Sequence, residues 1–242
     1  VSESSGLKPK TVVFIIPVKT EWDEAILYFG LKNEECSRSP YGGYFFKKYE
    51  LEGKSVSAVF MKCGCGKARA AGATQFAILK WKPAAIVNIG TCGGFAGSIE
   101  KGGLLIAERT VVYDVRERMG DPDEMIRLFS TDLDLSFVSE ELMKHVKKHV
   151  LASADADLDP GDIASLREKY GAAAADWESG SIASTAALNG VRSLIIRGVS
   201  DLVCEKEGGE AYGNYAAFVG GTRQVMKKIL ELTPEIIDCV LK

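Results

Sequence analysis

Three short apolar runs, Val12 to Pro17, Ala84 to Ile89 and Ser193 to Val199, restrict this chain to a sheet whose central strands are covered on both faces. None shows the apolar-polar alternation of a half-exposed strand, and none approaches the roughly 18 to 20 residues of a membrane-spanning helix. The first run is closed by Pro17 and is followed by a helical pattern from about Thr20 to Phe29. Tyr44 to Leu51 and Ser55 to Met61, rich in β-branched and aromatic residues, flank Glu52-Gly53-Lys54 and read as a hairpin, so the sheet is mixed. An Ala-rich helix is expected over Lys67 to Lys80, a strand over Leu104 to Val112, and helices over Leu142 to Val150, Ser179 to Leu188 and Tyr215 to Leu230. Thr233-Pro234 starts a last helical turn that reaches Leu241.

The 242 residues, 46% hydrophobic and 26% charged, suffice for one large core, and no linker or repeat divides them. Residues 1–10 read as a flexible segment without the basic-then-apolar order of a signal peptide, and 11–242 as a single α/β domain. A net charge of −3 and the absence of a basic patch argue against nucleic-acid and anionic-membrane partners. Six scattered cysteines in a chain of this size fit a reduced, cytoplasmic setting. Cys63 and Cys65 have no second pair, and His145 and His149 sit among lysines, so no metal or other cofactor is expected.

With both histidines far from any candidate motif, acid–base chemistry falls to carboxylates. Glu21 follows the first strand, Glu178 stands at a strand-to-helix junction, and Asp201 ends the last apolar strand. Loops at one sheet edge converge, so the three can meet in one cleft. Taken singly, Glu21 and Glu178 read as first-turn acids and Asp201 as a helix cap, and only their combination favours a site. Gly90-Thr91-Cys92-Gly93-Gly94 is either a close approach of backbone to ligand or a plain tight turn.

Pro17 to Glu21, Cys63 to Lys67, Val87 to Phe95, Asp176-Trp177-Glu178 and Arg197 to Asp201 occur in the order and spacing of the purine/uridine nucleoside phosphorylase superfamily. Over about residues 11 to 232 the chain most resembles its methylthioadenosine/S-adenosylhomocysteine nucleosidases. The resemblance implies a three-layer α/β/α fold with a mixed, partly barrel-like central sheet, and a homodimer. It implies that Asp201 protonates or hydrogen-bonds the purine N7, that Glu178 holds the ribose hydroxyls, and that Glu21 positions the attacking water beside Arg197. Thr91, Cys92, Gly93, Trp177, Ser200, Leu158 and Tyr212 then fall at substrate-binding positions.

The residue types suit the chemistry. Breaking a C1′–N9 bond creates a cationic sugar and an electron-rich purine, which call for an ionised carboxylate and a proton donor respectively. The loop after the first strand holds Glu21 and no arginine, which favours water over phosphate as nucleophile; Arg69 is the residue that keeps a phosphorylase open, and Thr91 suits either. The chain departs from the resemblance at Trp177, where a Met is usual, and at Asp157-Leu158, where either residue takes the place of the one that covers the base. Tyr212 packs on the 5′ group or belongs to the core, and Arg116 and Arg118 bind a carboxylate-bearing 5′ tail or are plain surface charges. The expected activity is hydrolysis of 5′-methylthioadenosine or S-adenosylhomocysteine, with a phosphorylase, a futalosine-type nucleosidase and a non-catalytic nucleoside-binding protein as alternatives.

Overall fold

The computed structural model describes residues 10–242. The segment expected to be flexible lies outside the described residues apart from Lys10, whose carbonyl accepts a hydrogen bond from the Ser57 amide. The first half of the chain forms β1 (Thr11–Ile16), α1 (Lys19–Tyr28), β2 (Ser37–Arg38), β3 (Gly43–Leu51), β4 (Lys54–Lys62), α2 (Lys67–Trp81), β5 (Ala85–Phe95) and β6 (Leu104–Val112). There follow α3 (Pro122–Leu128), β7 (Ser130–Asp132), α4 (Glu140–Met143), β8 (Lys147–Ser153), α5 (Ile163–Tyr170), β9 (Ala172–Asp176) and α6 (Ser179–Leu188). The chain closes through β10 (Arg192–Cys204), β11 (Gly208–Gly209), α7 (Tyr215–Glu231) and α8 (Thr233–Leu241).

Among the described residues, eleven strands join one sheet, in the order β11-β10-β6-β8-β9-β5-β1-β4-β3-β2, with β7 on β6. Because β10 also pairs with β5 in parallel, β10, β6, β8, β9 and β5 close into a five-stranded barrel, from which β1, β4, β3 and β2 extend. The expected mixed, partly barrel-like sheet is thus present. Within β1 the side chains alternate between two cores: Val12, Phe14 and Ile16 pack with α1, α7 and α8, while Val13 and Ile15 pack with α2 and α6. Burial on both faces is why this strand carries no polar residue after the half-buried Thr11. The hairpin between β3 and β4 turns at Glu52 and Gly53, both with positive φ (49° and 74°), the conformation that two-residue hairpin loops require.

Three local expectations are corrected. The helix over Leu142 to Val150 is the short α4 followed by β8, so His145 is on an exposed turn and His149 on a strand. Leu142, Val146 and Val150 imitate helical spacing, but Leu151 to Ser153 is a run buried between β6 and β9, and parallel pairing on both sides fixes it as strand. The glycine run does not terminate the strand: β5 continues to Phe95, with Gly93 and Gly94 paired to both β9 and β10. Asp201 does not end its strand either, since β10 runs on to Cys204 with a bulge between Val199 and Asp201. Bulges re-aim side chains, and this one lies at the cavity wall.

Candidate active site

A cavity of about 670 Å³ opens where β5, β9 and β10 end. It lies within the range of roughly 300 to 1,000 Å³ usual for small-molecule sites. Thr91, Cys92 and Gly93 of β5, Ser200 and Asp201 of β10, Trp177, Glu178, Leu158 and Tyr212 all line it. Glu21 and Arg197 do not: both are fully buried one layer behind the wall.

Glu21 occupies the first turn of α1, and its two oxygens do different jobs. Oε2 accepts the Val18 amide at 2.9 Å, closing the helix start, while Oε1 accepts the Thr91 amide at 2.6 Å and the Thr91 hydroxyl at 2.8 Å. The helix-capping reading and the site reading of this residue therefore both hold. Burial pushes its carboxyl above the usual range, against the opposing pull of Arg197 and the hydrogen bonds from Val18 and Thr91.

Arg197 is the only cation at this cluster among the described residues, and it faces three acids. Nη2 lies 2.6 Å from Asp176 Oδ2 and 3.7 Å from Glu178 Oε2, and Nη1 lies 4.0 Å from Glu21 Oε1. These are charge contacts, since none of the guanidinium nitrogens has an aligned hydrogen-bond acceptor among the described residues. Burial works against the charge of Arg197, but Asp176, Glu21 and Glu178 outweigh it and raise its pKa further. Its nearest partner is thus Asp176 rather than Glu21. Gly90 leaves room for the cluster, because a Cβ there would stand 2.1 Å from Arg197 Nη1 and 2.7 Å from Glu21 Oε1.

Asp176 is the acid that sequence reasoning passed over. It accepts the Ser179 amide at 3.2 Å and the Ser179 hydroxyl at 2.8 Å, capping α6 while neutralising Arg197. The available signal was an acid three residues ahead of a serine that opens a small-residue helix. Glu178, freed from capping, accepts the Gly66 amide at 3.0 Å through Oε1. Burial raises its pKa to about 8, with Arg197 opposing and Asp176 and Glu21 reinforcing the shift.

At the other wall, the Ser200 hydroxyl donates to Asp201 Oδ1 at 2.6 Å. Burial raises the Asp201 pKa above the ordinary aspartate value, partly offset by this hydrogen bond. Leu158 packs against Phe95 and Val203 with only 6% of its surface exposed, whereas Asp157 is exposed at the cavity rim. Tyr212 is not a core aromatic. It is 42% exposed, lines the cavity, and donates its hydroxyl to the Leu158 carbonyl. Trp177, 37% exposed, Tyr215 and Phe218 add aromatic wall that the sequence reading only partly identified. Arg69, Arg116 and Arg118 are exposed and none lines the cavity. Among the described residues the wall contains Asp157, Asp176, Glu178 and Asp201 but no lysine or arginine, and no group of metal-binding side chains was found.

The fold recurs in known proteins. A 5′-methylthioadenosine/S-adenosylhomocysteine nucleosidase of Bacillus thuringiensis subsp. konkukian (strain 97-27) is 28% identical over 215 residues, 83% of this chain and 92% of its own. Among solved structures, the Arabidopsis thaliana 5′-methylthioadenosine nucleosidase superposes with a TM-score of 0.76 at 21% identity, covering 95% of this chain and 97% of that one. The futalosine hydrolase of Helicobacter pylori strain 26695 gives 0.71 at 21% identity with the same coverages. The model of the Phosphorylase superfamily matches residues 12–237, and the chain belongs to that family.

Proposed function

We propose that this protein hydrolyses the N-glycosidic bond of a 5′-alkylthio purine nucleoside, 5′-methylthioadenosine or S-adenosylhomocysteine, releasing adenine and a thio-ribose. The observation that carries this reading is the charge of the cavity wall: four carboxylates and no cation among the described residues. Phosphate would find no cation and no bidentate donor there, whereas water needs neither. The nucleosidases among the relatives support the same substrate class.

In this reading Asp201 holds a proton in its desolvated position and delivers it to purine N7 as the glycosidic bond lengthens. Glu178 accepts hydrogen bonds from the ribose hydroxyls and faces the growing positive charge of the sugar. Glu21 acts on the attacking water through Thr91, whose hydroxyl stands between it and the cavity, and Arg197 balances the buried acids. Ser200 orients Asp201. Trp177, Tyr212 and Leu158, with the backbone of Cys92 and Gly93, enclose base and 5′ group. No cofactor enters the scheme; water is the co-substrate.

Such an activity serves methionine salvage, and a homodimer in the cytoplasm is the working form we infer. Its six cysteines are all free, in keeping with a reducing compartment. Chromatographic assay of free base from 5′-methylthioadenosine, S-adenosylhomocysteine, inosine and futalosine, with and without phosphate, tests the reading. Adenine released from the thio-nucleosides without phosphate is the expected result. Strict dependence on phosphate would establish a phosphorylase, and binding without release a non-catalytic protein.

A further inference from the structure

Glu178 is held by a backbone amide whose own position depends on an ion cluster outside the cavity. Gly66, which donates to Glu178, directly precedes α2, a helix with no side-chain cap and no acid in its first turn. Asp155 supplies the missing acid from a different part of the chain: its Oδ1 accepts the Lys67 amide at 2.7 Å. The Asp155 amide in turn donates to Asp114 Oδ2 at 2.9 Å, and Lys67 Nζ donates to Asp114 Oδ1 and lies 3.9 Å from Asp155 Oδ2. One ammonium and two carboxylates therefore tie together the loops after β4, β6 and β8. The last of these loops carries Ala156, Asp157 and Leu158 to the cavity wall.

We propose that Lys67 is a positioning residue for substrate recognition: with Asp114 and Asp155 it holds the Gly66 amide against Glu178, and the 156–158 loop against the base, in one register. None of the three lines the cavity, so they act only through these neighbours. The cluster is half-shielded, with Lys67 and Asp114 side chains 23% and 26% exposed, which strengthens its hydrogen bonds over those of a fully solvated pair. Gly66 leaves no slack, because a Cβ on it would stand 3.0 Å from Asp155 Oδ1.

The inference rests on the proposed nucleosidase reading, in which Glu178 recognises the ribose hydroxyls. It is tested with Lys67→Met and Lys67→Arg, each assayed on 5′-methylthioadenosine and its 2′-deoxy analogue alongside the wild-type chain, with melting temperatures measured in parallel. Lys67→Met should lower kcat/KM for the ribonucleoside on the order of tenfold, the size of losing one charge-assisted hydrogen bond, chiefly through KM. Its preference for the ribo over the 2′-deoxy substrate should shrink by a similar factor, and Lys67→Arg should retain most of both. An active wild type with an unchanged ribo-to-deoxy preference in Lys67→Met, whatever its melting temperature, overturns the positioning role alone. A wild type inert on both nucleosides overturns the proposed reaction and this role with it.

Discussion

Asp201 and Glu178 are both carboxyls with raised pKa, and the reading assigns them opposite duties. A donor must be protonated when the bond breaks, so the turnover that depends on Asp201 should fall as pH rises through its elevated pKa. Asp201→Asn should lower kcat by a factor on the order of 10² to 10⁴ while still binding the nucleoside, measured by single-turnover kinetics and calorimetry. Near-normal kcat would remove Asp201 from the mechanism. Glu178 gives a separate signature in stability. Its folded pKa of about 8 exceeds the ordinary 4.5, so between those values the folded state binds more proton than the unfolded one. Stability then falls as pH rises through that window, by the linkage of proton uptake to unfolding. Glu178→Gln should flatten the decline of the melting temperature between pH 5 and 8, roughly the span of the shift. Of the three acids read from the sequence, Glu178 after β9 and Asp201 within β10 line the cavity, while Glu21, in α1 after β1, is buried one layer behind it. Asp176 was not legible in the same way: its role comes from meeting Arg197, 21 positions along the chain, on a strand that lies on the other side of β5.

At the scale of elements, β5 shows what local pattern can and cannot tell. Its apolar start was readable, but a Gly-rich continuation has the composition of a turn, and only pairing to β9 and β10 makes it strand. Gly90 and Gly94 are there for close contact and not for unusual dihedrals, since both are absent from the positive-φ positions and a Cβ on either would stand under 3 Å from a neighbouring side chain. Gly90→Ala would drive a methyl group into Arg197 and Glu21 and displace a buried charge cluster. Disrupting buried pairs typically costs about 3 to 5 kcal/mol, so this variant should lose several degrees of melting temperature and most of its activity. Gly97, where a Cβ would meet nothing within 4 Å but φ is +86°, serves as a control for backbone strain alone. If the two alanine variants behaved alike, close packing would not be the reason for glycine in β5. The misassigned helix at Leu142 to Val150 has the complementary cause, an apolar spacing of four residues that both structures tolerate until neighbouring strands decide.

For the whole molecule, the inferred dimer needs exposed apolar side chains, and α2 and α6 offer some. Leu79 of α2 and Leu188 of α6 are 69% and 85% exposed, large values for leucines. Gln75 and Asn189 exchange two hydrogen bonds, at 3.1 and 2.8 Å, which tie the middle of α2 to the carboxyl end of α6. Trp81, the last residue of α2, packs against Phe46 of β3, itself 52% exposed. Exposed apolar side chains on adjoining elements are candidate contacts for the inferred partner copy. Both helices also flank the site: α2 begins at Lys67, beside the Gly66 amide that holds Glu178, and α6 begins at Ser179, beside Asp176 and Glu178. A partner seated over these side chains would restrain both helices at the ends away from the site, and through the helices the amino ends beside Glu178. Leu188→Asp should convert the inferred dimer to a monomer in sedimentation equilibrium, and KM should rise on dissociation because the Gly66–Glu178 hydrogen bond loses that support. A wild-type chain that sediments as a monomer, or a monomeric variant with unchanged KM, would separate assembly from catalysis and leave the single barrel as the complete catalytic unit.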